Sequence, residues 1–383
     1  MNDCAAFLPT YASDTSGVAS ALYELGGMTV IHDASGCNST YSTFDEPRWY
    51  DQESFVVISA LTESDAVLGN EQKLIDDCVQ QARLLSPAFL ALANSPVAML
   101  TGCDMPAIAG QIEAELGIPC FAVATNGINS YVLGASRALV AVASRFCRDT
   151  PRSPEKSLNL LGATPLDLGS LEFSAICSWA ESFGLRLNAC VAQNCDLSHI
   201  ERLGAAHVNL VLSSTALALA HALQERFGTP YVTGRPFGFF ADELASFLLL
   251  AADTQKSITL PRTENPQSRS VALIGESVAM ASMARALAHY GFGQSRIFCP
   301  LEAWQEVLGP DDAGGEENED ALAEFLEGAD LIVGDPLYRL LVKEGTPFLP
   351  LPHTAFSGRC YLNAAPSLTG QGLEEVLARE GLC

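Results

Sequence analysis

The sequence predicts an α/β protein of three Rossmann-like domains with parallel sheets. Three observations carry this. A strand–helix–Gly-x-Pro–strand block occurs three times, a strand–helix start precedes each block, and the 383 residues exceed what one core ordinarily fills. The blocks are "SPVAMLTGCDMPAIAGQIEAELGIPCFAV", "AAHVNLVLSSTALALAHALQERFGTPYVTG" and "GADLIVGDPLYRLLVKEGTPFLPL". In each, a glycine (Gly117, Gly228, Gly345) is expected to end a helix in a left-handed cap. A proline two residues later (Pro119, Pro230, Pro347) forbids continuation. The starts are "SFVVISALTESDAVLGNEQKLIDDCVQQARLL", "SLNLLGATPLDLGSLEFSAICSWAESFGL" and "SVALIGESVAMASMARALAHYGFG". Strands alternating with helices of this length imply parallel sheets joined by right-handed crossovers.

Polar, proline-containing stretches at 148–157 and 254–270 mark expected boundaries, giving domains at 1–150, 151–265 and 266–383. The stretch 311–330, with nine acids and no base, reads as a solvated loop leading into a helix. The chain is 48% hydrophobic and 17% charged, as a well-buried globular protein is. Its net charge of −24 argues against nucleic acid or an anionic membrane as the main partner and favours one with a basic docking face. No apolar run spans a bilayer, since "LASFLLLAADTQ" meets Asp253 too soon. No basic segment precedes the first apolar residues, so no signal peptide is expected and the cytoplasm is the expected location.

Neither a GxGxxG fingerprint nor a P-loop is present, so binding of dinucleotide or ATP in those ways is not expected. The twelve cysteines include no CxxC. Most, among them Cys78, Cys120, Cys147, Cys177 and Cys190, fall in apolar periodic segments, where buried free thiols are expected.

Two cysteines stand apart. Cys37 follows Gly36 after the apolar run 28–31 in "TVIHDASGCNSTY", and Cys103 follows Gly102 in "LTGC". Ligands in open α/β sheets bind at the carboxyl ends of strands. In the three blocks that position reads as Gly102-Cys103, Ser213-Ser214 and Asp335-Pro336. A glycine beside each thiol lets backbone N–H groups approach the sulfur and leaves room for a bulky inorganic group. From these residues alone each thiol is a cluster ligand, a nucleophile or a small buried hydrophobe.

The motifs resemble those of component 1 of nitrogenase and its relatives. These include the dark-operative protochlorophyllide reductase, the chlorophyllide reductase, the reductive cyclase of the nickel-tetrapyrrole pathway and the cofactor-assembly scaffold. "VIHDASGCNSTY" is similar to the family's His-Gly-x-x-Gly-Cys cluster motif, with Asp33 where glycine is usual. "TESDAVLGNEQKLID" resembles the segment with Phe-Gly-Gly and Lys-Leu, and "MLTGCDMPAIAGQI" the motif of the next cluster cysteine. "VNLVLSS" and "LQERFGTPYVTGRPFG" resemble the second domain.

The resemblance implies that Cys37 and Cys103 bind an iron–sulfur cluster, of 4Fe–4S type or larger, at a dimer interface. Thiolates of a second chain, a copy of this one or a paralogue, would complete it. It also implies an ATP-dependent iron–sulfur reductase that docks and delivers low-potential electrons. The family's first cysteine would fall at Ala12 or Ser13, so Cys4 becomes the candidate third ligand, with Ser13, Asp14 or a partner as alternatives. Where the catalytic nitrogenase chain has a cysteine for the iron–molybdenum cofactor, this chain has Leu212-Ser213-Ser214, so dinitrogen reduction is not expected.

His353 in "PLPHTAFSGRC" reads as a pocket or a structural histidine. Arg235 in "TGRPFGFF" reads as a contact for an anionic substrate such as a tetrapyrrole carboxylate, or as half of a surface ion pair. In "NCDLSH", which holds Cys195 and His199, a helix N-cap at Asp196 or Ser198 is expected. The function expected is that of a subunit of a nitrogenase-like reductase acting on an unidentified substrate. A cofactor-assembly scaffold and a metal-free binding module are the alternatives.

Overall fold

The computed structural model describes residues 11–34, 46–260, 265, 267–314, 319–361 and 365–382. Cys4 and Cys37 lie outside them. Three parallel sheets follow one another along the chain, an α/β architecture consistent with three Rossmann-like domains. The first unit runs α1 (Asp14–Leu22), β1 (Met28–His32), β2 (Phe55–Ile58), α2 (Glu63–Leu68), α3 (Glu71–Leu85), β3 (Leu90–Asn94), α4 (Pro96–Thr101), α5 (Met105–Leu116), β4 (Cys120–Val123) and α6 (Tyr131–Phe146). Its sheet order is β2-β1-β3-β4. Next come β5 (Ser157–Leu161), α7 (Ser170–Ser182), β6 (Arg186–Cys190), α8 (Leu197–Glu201), β7 (Val208–Val211), α9 (Leu217–Phe227), β8 (Tyr231–Thr233) and α10 (Phe240–Thr254), with order β6-β5-β7-β8.

The last unit has β9 (Ser270–Ile274), α11 (Ser277–Ala288), β10 (Gln294–Cys299), β11 (Ala313–Gly314), α12 (Glu319–Phe325), β12 (Leu331–Gly334), β13 (Phe348–Pro350), α13 (Thr354–Ser357) and α14 (Gly372–Arg379). Its order is β11-β10-β9-β12-β13. In all three sheets the unit's first strand lies inside and the next goes outward on one side. The direction then reverses, and that reversal opens a crevice at the strands' carboxyl ends.

Two elements differ from expectation. "VAMLT" is not a strand: Ser95 caps a short helix, α4, that starts at Pro96 and ends at Gly102 in a left-handed turn (φ 74°). The strand is the preceding, fully apolar Leu90–Ala93 with Asn94, so Cys103 follows a helix cap instead of a strand end. In the third block the segment Pro336–Leu341 is a 3₁₀ turn, not an amphipathic helix. Asp335 caps its start, and the chain is extended again by Val342. The expected cap at Asp196 is present, holding the His199 amide at the start of α8.

The units share their cores. One apolar cluster joins Leu158 and Leu210 of the second sheet to Leu273 and Val333 of the third. Another joins Val18, Ala91 and Leu139 to Val211 and Leu217. Helix α6 lies between the first and second units, and α1 crosses it closely at two glycines. A Cβ on Gly134 would stand 1.8 Å from the Asp14 carbonyl oxygen, and one on Gly17 would stand 2.1 Å from that of Tyr131. Both obstacles are backbone, which cannot swing aside. Gly134→Ala is therefore expected to cost about 3 kcal/mol, the upper end of overpacking penalties. A urea unfolding midpoint equal to the parent's would mean that the helices do not cross so closely.

Candidate functional site

In the first unit the candidate site lies at the end of β1. His32 is the last residue of that strand and pairs in register with Asn94 of β3. Its ring is buried, with Nδ1 2.7 Å from the Ser59 hydroxyl. Ser59 Oγ lies 3.3 Å from the Asp33 carbonyl, to which it donates. The Asp33 amide donates to the same hydroxyl at 3.1 Å, so Ser59 ties the ring to the residue that follows β1. The other ring nitrogen, Nε2, faces Cys103 Sγ at 3.8 Å, and Thr101 Oγ1, which donates to the Ala98 carbonyl, lies 3.1 Å from the same sulfur. Burial holds the imidazole pKa below its ordinary value, which favours a neutral ring beside the thiol.

Cys103 is half-buried. Around it α2 packs against α4, and Gly127 approaches so near Pro96 that a Cβ there would meet the ring at 2.2 Å. This joins three elements into one surface carrying Val67, Leu68, Leu100 and Ile128, all largely exposed, with Leu100 at 82%, and the partly exposed Met99. Contiguous exposed apolar side chains mark interaction surfaces. The Asp14 carboxylate is turned inward: it accepts from the backbone of Asn126 and Gly127 and so fixes the turn that presents Ile128. Asp14 is fully buried there, with its carboxylate already holding two backbone amides.

Soft thiolate donors suit an iron–sulfur cluster, and Cys103 is such a donor. Among the described residues no group of three or more His, Cys, Asp or Glu could hold a metal ion. Any cluster therefore needs donors from outside them. The remaining thiols behave mostly as expected: Cys78, Cys120, Cys147 and Cys190 are buried, and burial pushes the pKa of Cys78 and Cys120 up to about 12. Cys177 is only half-buried.

A second constellation lies where strand ends of the second and third sheets face each other. Arg235 follows β8, Asp167 lies beyond β5, Glu276 follows β9, and Asp335 and His353 follow β12 and β13. Arg235 is buried, contrary to a surface pair: its Nη2 stands 3.6 Å from both Asp167 Oδ1 and Glu276 Oε2. Its Nε donates to the Leu212 carbonyl at 2.8 Å. Asp167 also accepts from Tyr131 OH and Thr164 Oγ1, each at 2.7 Å, and has His353 Nε2 at 3.4 Å. Burial works against the Asp167 carboxylate, yet His353, Arg235 and Tyr131 together hold its pKa below the usual carboxylate range. Glu276 accepts from the Ser214 amide at 2.9 Å, so the turn Ser213-Ser214 faces a carboxylate.

The cavity beside this network has a volume of about 90 Å³ and is bordered by Arg235, His353, Asp335, Phe237, Met280 and Phe356. Ligand pockets ordinarily hold roughly 300–1,000 Å³. The space does not fit a bulky cofactor, and the guanidinium expected to meet an anionic substrate is already flanked by two carboxylates. Arg235 and His353 are thus brought together, some way from Cys103 in the sequence and on a different pair of sheets. His32, Tyr131, Asp167 and Glu276 were not singled out as site residues by sequence. Their signal is position: each is polar, close to the end or start of an element, and buried.

The family model for nitrogenase component 1 type oxidoreductases matches residues 15–248. The nitrogenase iron-molybdenum cofactor biosynthesis protein NifE of Sinorhizobium fredii is 30% identical over 58% of this chain and 44% of its own length. For NifE of Klebsiella pneumoniae the figures are 24%, 58% and 50%. The nitrogenase molybdenum-iron protein alpha chain of Clostridium pasteurianum is 22% identical over 46% of this chain and 34% of its own length. The matched stretches thus span half or less of these relatives. A solved structure of nitrogenase Cp1 at pH 6.5 superposes over 100% of this chain and 94% of its own, with a TM-score of 0.73 at 16% identity. The fold is therefore that of nitrogenase Cp1, and no helix among the described residues is long and apolar enough to cross a membrane. With 234 consecutive residues (15 to 248) of the 383 matched to the family model, the chain belongs to the nitrogenase component 1 type oxidoreductase family.

Proposed function

We propose that this chain is an electron-accepting subunit of a nitrogenase-like reductase that acts on a substrate other than dinitrogen. Cys37 and Cys103, with Cys4 as a third donor, hold an iron–sulfur cluster of 4Fe–4S type or larger. A second chain, a copy or a paralogue, supplies the other thiolates, and an ATP-dependent iron–sulfur reductase docks to deliver electrons in the cytoplasm. Each sheet unit is a domain, with boundaries near residues 150 and 265. The observation that carries this reading is the half-buried Cys103 thiol, backed by neutral His32 and rimmed by exposed apolar side chains.

When bound, the cluster supplies one-electron carriage at low potential. The chain's own residues do the rest. A thiol must lose its proton to become a ligand, and His32 Nε2 is placed to accept it from Cys103 Sγ. Ser59 holds the ring in place through Nδ1. The apolar rim excludes water once a second chain covers it. The net charge of −24 supports docking of a reductase with a basic face.

A second reading is favoured by the relatives named for cofactor biosynthesis: a scaffold that holds a cofactor under assembly without reducing a small molecule. The two separate by turnover. Anaerobic protein mixed with an ATP-dependent iron–sulfur reductase and ATP is expected to consume reductant in step with substrate loss. ATP-independent release of a metal–sulfur cofactor to an acceptor protein, without substrate loss, would favour the scaffold. Colourless, iron-free protein from anaerobic cells would sink both.

A further inference from the structure

The apolar surface beside Cys103 carries charge of one sign. The three stretches that form it, 61–72, 95–107 and 124–130, hold the acids Glu63, Asp65, Glu71 and Asp104 and no Lys or Arg. Glu63 is exposed and lies one helical turn from Val67 on α2, so the two share a face. Asp104 directly follows Cys103 and is exposed, with its carboxylate capping the start of α5. Lys73 and Arg137, which reach these stretches from α3 and α6, are engaged. Lys73 holds Asp65 at 3.0 Å, and Arg137 donates to the Ala124 carbonyl.

The acids decide what can cover the surface. In a two-fold pair of identical chains the same patch meets itself. Acid would then face acid, and neither copy offers a base from these stretches. Like charges brought together at an interface act against association. The whole-chain balance, 21 basic against 45 acidic residues, adds to the repulsion. A visiting reductase does not meet the need either. Cys103 requires thiolates that stay with the cluster, and a carrier that leaves after delivering electrons cannot supply them.

We propose that the surface of Val67, Leu68, Leu100 and Ile128 docks an unlike chain whose apolar contact face is flanked by Lys and Arg. The assignment rests on the reading that a second chain completes a cluster at Cys103, and it narrows that chain to one that is not a copy. The exposed apolar side chains supply the centre of the interface. Glu63 and Asp104 supply charges at its edge, which fix partner choice and orientation more than they add affinity.

The test has two anaerobic arms. Full-length chain purified alone and supplied with iron and sulfide is weighed by sedimentation at low salt, where it is expected to be monomeric. A stable dimer of the chain alone would overturn the assignment, and this arm needs no variant. In the second arm a photo-crosslinking amino acid replaces Leu100, whose exposure of 82% makes the change tolerable. The tagged chain is expressed in its native cells, the crosslinked peptides are sequenced, and the iron of the complex is measured. The expected adduct joins position 100 to an apolar residue of an unlike chain, close to Lys or Arg, and forms without ATP. Adding Glu63→Lys is expected to cut its yield about fivefold, with the urea midpoint of the chain unchanged. An adduct with a second copy, with a reductase only when ATP is present, or with nothing would overturn the assignment. An unlike partner in an iron-free complex would uphold the docking surface and sink the cluster reading. An iron-loaded pair of identical chains would do the reverse.

Discussion

Cys103→Ala protein purified anaerobically is expected to lose most of its iron and to dissociate more readily. The first effect follows from chemistry: an iron–sulfur cluster is held by a few thiolates, and the described residues of one chain offer a single candidate at this surface. The second follows from linkage. A cluster that bridges two chains stabilises the dimer as it binds, so a lost ligand weakens association as well. A tenfold or greater rise in the dimer dissociation constant, about 1.4 kcal/mol, is expected. Cys78→Ala and Cys177→Ala should keep their iron, since Cys78 is buried against α5 and Cys177 lies in another unit. Iron content and oligomer mass, measured on the same anaerobic sample, check both effects. Full iron in Cys103→Ala would mean that this sulfur is only a structural thiol. Iron loss with an unchanged dimer would place the cluster within one chain.

How much of this was legible in the sequence differs by layer. The repeated block reveals three parallel sheets because helix caps are local: Gly117 and Gly228 are left-handed ends in the structure too. The misreadings have local causes as well. "VAML" is as apolar as a strand, but Ser95-Pro96 at its start and Gly102 at its end are helix punctuation, and here punctuation outweighs hydropathy. Cys103 keeps its place beside the carboxyl end of the sheet, since α4 is only six residues long and returns the chain toward β1. His32 was visible as a motif residue. Its role behind Cys103 was not, because that contact spans 71 residues of chain and depends on β1 pairing with β3. The burial of Arg235 was the least legible feature. Nothing in "TGRPFG" announces that two carboxylates from other strands will close around it.

Arg235→Ala is expected to destabilise the protein by about 3–5 kcal/mol, the cost of removing one member of a buried ion group. The magnitude follows from what would be left behind. Asp167 and Glu276 have fully buried side chains, and Arg235 Nη2 stands 3.6 Å from each. Glu276 retains the amides of Ser214, Val278 and Ala279 and caps the start of α11, where the helix dipole favours a negative charge. Asp167 retains Tyr131, Thr164 and His353. Of the two, Asp167 is the worse served, because two of those contacts come from neutral hydroxyls. Removing its charge should therefore recover part of the loss. Asp167→Asn in the Arg235→Ala background is expected to be more stable than the sum of the single changes predicts, by 1 kcal/mol or more. Arg235→Lys is expected to recover little. An ammonium cannot reach Asp167 and Glu276 while also donating, as the guanidinium does, to the Leu212 carbonyl. Urea titrations of the four proteins measure the cycle. Strict additivity would mean that Arg235 and Asp167 stabilise the chain independently, and the ion group would then be a coincidence of packing between the two sheets.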